Sequence, residues 1–178
     1  MASDGPGGGT DANIIIRAIE SSDLDDILRI EEHSFPNPWK REAFLSELSG
    51  NPYSFLYGLF AGDRLLGYSV FWVLDEQAHL VNLAVDPDSR GRGYGRTLLF
   101  HALRTAYRRG ADRLHLEVRE NNQPAIALYR QFGFLPLGRA PGYYSDGTAA
   151  LIMAVSLSGN PPSGQYRKDP SSPGKDMT

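Results

Sequence analysis

The sequence contains no cysteine. That excludes disulfides, thiolate-bound zinc and a cysteine nucleophile together, and it fits a reducing, cytoplasmic setting. Long hydrophobic runs are also missing. The longest, LLGYSVFWVL at Leu65–Leu74, is about half of what a membrane-spanning helix needs, so no membrane association is expected. Positive charge is not in excess: 18 Lys and Arg stand against 21 Asp and Glu, a formal net charge of −3. General adhesion to nucleic acid or to an anionic surface is therefore disfavoured, and any anion site must be a local patch. The opening residues, MASDGPGGGTDAN, lack the basic and apolar regions of a secretory signal. The histidines His33, His79, His101 and His115 show no zinc spacing, so no metal is expected. No Gly-x-Ser-x-Gly elbow is present, which leaves a serine hydrolase unsupported.

What is there is enough for one domain. The chain has 178 residues, 41% of them hydrophobic, sufficient to bury a sizeable core. Residues 1–12 and 158–178 are rich in small and polar residues, with proline prominent in the second stretch and no hydrophobic period. Both are expected to be disordered tails around a folded domain over 13–157. Within it, Asn13–Ile19 reads as a strand, and Ser22 as the cap of a helix with an apolar stripe of Leu24, Ile27, Leu28 and Ile30. The acidic residues Asp23, Asp25, Asp26, Glu31 and Glu32 then read as that helix's solvated side. A second helix is predicted over Lys40–Leu48 with Phe44, Leu45 and Leu48 inward. Ser54–Ala61 and Arg64–Leu74 form a hairpin about Gly62-Asp63, followed by a strand at His79–Val85. Helices at Arg96–Arg109 and Gln123–Phe132 then alternate with strands at Arg113–Arg119, Phe134–Gly138 and Ala149–Leu157. The result is a mixed α/β single domain.

One stretch stands out. In VNLAVDPDSRGRGYGRTLL an apolar strand gives way to arginines alternating with glycines and then at once to a helix. The dinucleotide pattern fails, because Arg96 stands where a third glycine should follow Gly91 and Gly93, and no Walker pattern exists. Glycine lets backbone approach a ligand and take positive φ, and a helix N-terminus aims free amides and part of a positive charge outward. Arg90, Arg92 and Arg96 add full charges. A phosphate or pyrophosphate suits such a loop.

These residues resemble the acetyl-CoA signature of the GNAT N-acetyltransferases, [RQ]-x-x-G-x-[GA], on Arg90, Gly93 and Gly95. The segment LHLEVRENNQPAIALYRQFGF is similar to the RimI type, the ribosomal-protein-alanine N-acetyltransferases, at Leu116, Glu117, Val118, Arg119, Asn122, Ala125, Leu128, Tyr129, Gly133 and Phe134. FPNPWKREAF resembles the same family's segment before its second helix and brings in Trp39. The resemblance implies a central mixed, mostly antiparallel sheet flanked by helices. It also implies acetyl-CoA as co-substrate, held by Arg90, Gly91, Arg92, Gly93, Tyr94, Gly95 and Arg96, by the backbone of Leu83, Ala84 and Val85, and near Asn122. Glu117 is implied as general base and Tyr129 as general acid toward the departing thiolate. Trp39, Tyr143 and Tyr144 are implied to flank the acceptor, the N-terminal peptide of a small-subunit ribosomal protein.

Residue chemistry bears on these roles independently. Leu114, Leu116 and Val118 share one strand face, so His115, Glu117 and Arg119 share the other, where a glutamate is by default a solvated group. Tyr129 lies in an apolar helical stripe and reads first as core, although a packed ring with an accessible hydroxyl satisfies both roles. Asn122 can equally be the helix cap. An α-amino group gives up its proton more readily than a lysine, which favours an N-terminal acceptor. The alternatives are a GNAT acting on lysine, on other N-termini or on a small amine, and a non-catalytic acetyl-CoA-binding module. Thr148-Ala149 stands where the family commonly has an acidic pair.

Overall fold

The structure, a computed structural model, describes residues 13–159. The expected N-terminal tail and residues 160–178 of the expected C-terminal one lie outside the described residues. β1 (Ile14–Ala18) leads into helix α1 (Leu24–Ser34), which is followed by α2 (Arg41–Ser49), β2 (Ser54–Ala61), β3 (Arg64–Leu74) and β4 (Gln77–Val85). Then come α3 (Tyr94–Arg108), β5 (Arg113–Arg119), α4 (Gln123–Gln131), β6 (Leu135–Ala140) and β7 (Ala150–Ser156). The strands make a seven-stranded sheet in the order β1-β2-β3-β4-β5-β7-β6. Only β4 and β5 run parallel. The mixed, mostly antiparallel sheet is thus as expected.

Helices cover both faces. On one, Leu24, Ile27 and Ile30 of α1 and Phe44 of α2 pack on Leu56, Phe60, Tyr68 and Val70. On the other, Leu99, Ala102 and Leu103 of α3 and Ile126 and Tyr129 of α4 pack on Phe71, Leu80, Leu114, Leu116 and Met153. Several local expectations are corrected. Ser22 does not cap α1. It lies in a 3-10 turn, where Glu20 and Asp23 form a reciprocal capping box and Arg17 pairs with Asp23 at 2.7 Å. Leu45 of α2 is 38% exposed, because the inward contact of that short helix is made by Phe44. Both shifts reflect polar and packing partners that a helical period does not encode.

The feature that makes a site is a failure of pairing. Val70 pairs with Asn82 but Phe71 pairs with Leu80, so Val81 is the extra residue of a bulge in β4. The parallel ladder with β5 runs only through Gln77–Leu80 opposite Arg113–Leu116. Past that point the strands part, and the β4 edge facing β5 carries no ladder.

Half-buried His101 on α3 gives the fold a pH signature. Its ring meets Tyr57 edge-on at 4.4 Å, its Nδ1 is without a partner, and burial, with Arg104 and Arg108 nearby, lowers its pKa to about 4. The unfolded chain takes up this proton near 6.5, the folded chain only near 4. This contribution is therefore complete above pH 6.5 and is lost as pH falls toward 4. Urea titrations should show about 2 kcal/mol less stability from this group at pH 4.5 than at pH 7.5. In His101→Leu that increment should be missing.

Candidate functional site

Where β4 and β5 part, a cleft of about 280 Å³ opens. Leu80, Val81, Asn82 and Leu83 line one wall and Glu117, Val118 and Arg119 the other. Asn122, Ala125, Leu128 and Tyr129 come from α4 and its cap, Tyr144 from the segment before β7, and Glu31 and Trp39 from α1 and the loop after it. Of the residues singled out in the sequence, Trp39, Leu83, Glu117, Asn122, Tyr129 and Tyr144 thus share one cavity. Tyr143 does not line it. That ring is 53% exposed and meets Tyr144 edge-on at 5.0 Å. Ala84 packs its side chain into the core, so only its backbone is available.

Glu117 sits on the polar face of β5, as the alternation requires. Its Oε2 lies 2.6 Å from His79 Nε2 on the neighbouring strand. This hydrogen bond holds the carboxyl below the ordinary carboxylate range, against burial, which acts the other way. The carboxylate is ionised at neutral pH. His115 stands directly opposite His79 in the ladder, and the two rings stack at 4.3 Å and 9°. Burial first, and His79 second, lower the pKa of His115.

The donor atoms of His79, His115 and Glu117 all lie within 4.8 Å of one another, a grouping that sequence spacing does not reveal. Two imidazoles and a carboxylate are chemically suited to a divalent ion. In stacked rings, however, the in-plane lone pairs run parallel rather than converging on one point. The interaction this geometry favours is the His79–Glu117 hydrogen bond.

Across the cleft, Tyr129 is buried with its ring against Phe134, 5.5 Å between centroids. The accessible hydroxyl expected from the sequence is only partly realised, since Tyr129 lines the cleft yet is 8% exposed. Burial pushes its pKa up from that of a free phenol, with Tyr144 adding to the effect. It keeps its proton at neutral pH and is a weaker acid than its residue type suggests. Asn122 does cap α4, accepting from Ala125 N–H at 3.3 Å.

The glycine loop lies beyond the cleft, with Leu128 between them: a Cβ at Gly95 would sit 3.6 Å from that residue's side chain. Gly91 and Gly93 take φ of 75° and 83°, and a Cβ at either would meet nothing within 4 Å. The space over the loop is open, and the positive φ demands glycine. The first helical bond of α3 runs from Thr97 N–H to Gly93 C=O. The amides of Tyr94, Gly95 and Arg96 therefore precede the helical ladder and face out of the helix end. The three arginines do not converge as expected. Arg90 reaches back to Val85 C=O at 3.1 Å and Ser34 Oγ at 3.0 Å. Arg96 bonds Gln131 at 2.9 Å and lies over Phe132. Arg92 keeps no side-chain partner among the described residues. An open rim, exposed amides and one uncommitted guanidinium still fit a diphosphate.

Sequence reasoning missed Glu31. Expected on a solvated side, it is 1% exposed. Its carboxylate accepts from Trp39 N–H at 2.9 Å, from Asn82 Nδ2 at 3.1 Å and from the Tyr68 hydroxyl. A signal was present, because Leu24, Ile27, Leu28 and Glu31 follow helical spacing, so the glutamate falls on the apolar stripe.

Comparison with known proteins agrees with this geometry. The Acetyltransferase (GNAT) family pattern matches residues 24–134. The chain is 36% identical over 146 residues to the ribosomal protein bS18-alanine N-acetyltransferase of Escherichia coli (strain K12), covering 80% of this chain and 97% of that one. It is 38% identical over 143 residues to a Bacillus subtilis (strain 168) protein provisionally given the same name, covering 80% and 95%. The crystal structure of the E. coli ribosomal-protein-S18-alanine N-acetyltransferase superposes with a TM-score of 0.75 at 34% identity, over 82% of this chain and 94% of that one. On the match over most of the domain, and on a strand splay followed by a glycine-rich helix start, this chain belongs to the GNAT family of N-acetyltransferases and is related to its RimI-type members.

Proposed function

We propose that this enzyme transfers the acetyl group of acetyl-CoA directly to the α-amino group of a protein, and that its acceptor is the N-terminal alanine of a small-subunit ribosomal protein. The observation that carries the reading is one cleft holding an ionised carboxylate, Glu117, and a protonated phenol, Tyr129. The names of the relatives support the acceptor. Acetyl-CoA supplies a thioester activated for attack by an amine. The amides of Tyr94, Gly95 and Arg96, with Arg92, hold its diphosphate, and the free β4 edge from Val81 to Val85 holds its extended arm. Glu117 takes the proton of the substrate ammonium. Tyr129 keeps a proton at its Oη toward the departing sulfur. Trp39 and Tyr144 flank the peptide end, so both reactants are held in one orientation.

An N-terminal site for transfer follows from proton energetics. An α-amino group titrates near 8 and a lysine near 10.4, so at neutral pH the α-amine presents roughly 100-fold more free base. A peptide with an N-terminal alanine and an internal lysine, incubated with acetyl-CoA, should carry the acetyl group on its α-nitrogen by tandem mass spectrometry. The same peptide blocked at its N-terminus should react about 100-fold more slowly. Acetylation of the blocked peptide at an equal rate would overturn the reading. No helix among the described residues is long and apolar enough to cross a membrane.

A further inference from the structure

We propose that Asn82 is an acceptor-binding residue, its side-chain Oδ1 receiving an N–H of the substrate α-amine from the wall opposite Glu117. The proposal rests on the reading of the cleft as the site of an N-terminal amine. What carries it is a buried polar side chain with one end committed and the other free. Asn82 lines the cleft and is only 9% exposed. Its Nδ2 donates to Glu31 Oε2 at 3.1 Å. Both oxygens of that carboxylate also accept from other donors, Oε1 from Trp39 N–H and Oε2 from the Tyr68 hydroxyl. The amide therefore turns its nitrogen toward Glu31 and its oxygen away. Tyr68 spends its one proton on Glu31 and has none for Oδ1. No donor among the described residues reaches that oxygen, yet it is not one of the sealed-off polar atoms without a partner, which are Ser54 Oγ, Ser69 Oγ and His101 Nδ1. It opens onto the cleft that its residue lines, where a donor from the acceptor satisfies it.

The strands set Asn82 and Glu117 against one another. Leu80 and Leu116 make the last pair of the parallel ladder, and the next positions are Glu117 on β5 and, past the bulged Val81, Asn82 on β4. Strict alternation would give Asn82 the face of Leu80, which packs in the core under α3 and α4. The bulge turns it to the opposite face, toward Glu31 of α1. Glu117 points the same way, because its neighbours Leu116 and Val118 belong to the α3 and α4 side. Trp39 packs on that face as well.

This pairing suits a primary amine. Once Glu117 has taken a proton from the ammonium, the nitrogen keeps two N–H bonds and gains a lone pair. Oδ1 accepts one of those N–H bonds and, carrying no proton, offers nothing to the lone pair. The lone pair is left pointing away from Asn82, free to meet the thioester. An amide oxygen also holds the amine without competing with Glu117 for its proton.

The test compares two peptides on Asn82→Leu, which keeps the bulk of the side chain. One peptide begins with alanine, and the other begins with a propionyl group, identical but for the missing amine. Titration calorimetry of each into enzyme saturated with CoA measures the preference for the amine. That preference should be about 10-fold smaller in the variant, as expected for a lost hydrogen bond to a charged group, while the propionyl peptide binds within about two-fold of its wild-type affinity. Loosened packing alone would weaken both peptides alike. In turnover, kcat/KM for the alanine peptide should fall by about the same 10-fold, with the acetyl-CoA KM held within about two-fold. Asn82→Ala gives the same comparison if the leucine prevents folding. A wild-type preference retained in either folded variant overturns the role of Asn82 alone. A wild-type enzyme that binds the two peptides equally removes the N-terminal amine from the cleft, and with it the reading on which Asn82 depends.

Discussion

Replacing Glu117 by Gln lowers kcat by about 100-fold or more, the usual size of an acid–base contribution, while acetyl-CoA binding stays nearly intact. The substitution keeps the shape of the side chain and an oxygen able to accept from His79 Nε2, so strand β5 and the cleft wall should keep their form. It removes the ability to accept a proton. The proposed cofactor contacts lie on other elements, the β4 edge and the start of α3, which is why the two readouts should separate. Following thiol release by steady-state kinetics measures kcat, and titration calorimetry with acetyl-CoA measures binding. Turnover equal to that of the parent would remove Glu117 from the mechanism. Lost binding with unchanged turnover per bound enzyme would place it in the cofactor site instead.

Much of this architecture is legible in the sequence because its determinants are local. Alternation put Leu114, Leu116 and Val118 on the core face and Glu117 opposite, and the β5 burial pattern follows it. Gly62 took the hairpin turn at φ 59°, and Gly91 and Gly93 needed positive φ, as expected where backbone must turn with no Cβ in the way. Illegible were features fixed by partners distant in sequence. The bulge at Val81 that ends the β4–β5 ladder leaves no mark in the apolar run VNLAV. Without it the cleft between Leu83 and Glu117 cannot be foreseen. The His79–Glu117 pair depends on the register of two parallel strands separated by a crossover helix, and no local period specifies that register. Glu31 was misjudged for another reason. A charged residue was assigned to solvent by type although its spacing placed it inward, and three donors converge there to offset its burial.

Glu31→Ala should cost about 3 kcal/mol or more of stability, since it strands three donors that now share one carboxylate, two of them buried and the Trp39 amide partly so. The Tyr68 hydroxyl keeps its proton, burial and the adjacent carboxylate both raising its pKa, so in the variant it remains a donor without an acceptor. Asn82 and the Trp39 backbone amide lose this carboxylate as an acceptor with it. The consequence reaches the cleft. Trp39 is held at the cavity wall by the hydrogen bond its backbone N–H donates to Glu31 and by its ring contact with Phe44 at 5.3 Å. Freeing one of these two anchors should raise the KM for the acceptor peptide several-fold, while the acetyl-CoA KM, for which the proposed contacts are the β4 backbone and the start of α3, changes less. Urea unfolding measures the stability loss, and separate substrate titrations measure the KM split. Glu32→Ala is the control, because that neighbouring side chain is exposed and its loss should shift stability by no more than about 0.5 kcal/mol. Glu31→Gln should fall between the two, since it keeps the volume of the side chain but turns one acceptor into a donor facing other donors. If Glu31→Ala unfolds at the same urea concentration as the parent, the buried carboxylate does not hold this corner of the fold, and Trp39 is placed by packing against Phe44 alone.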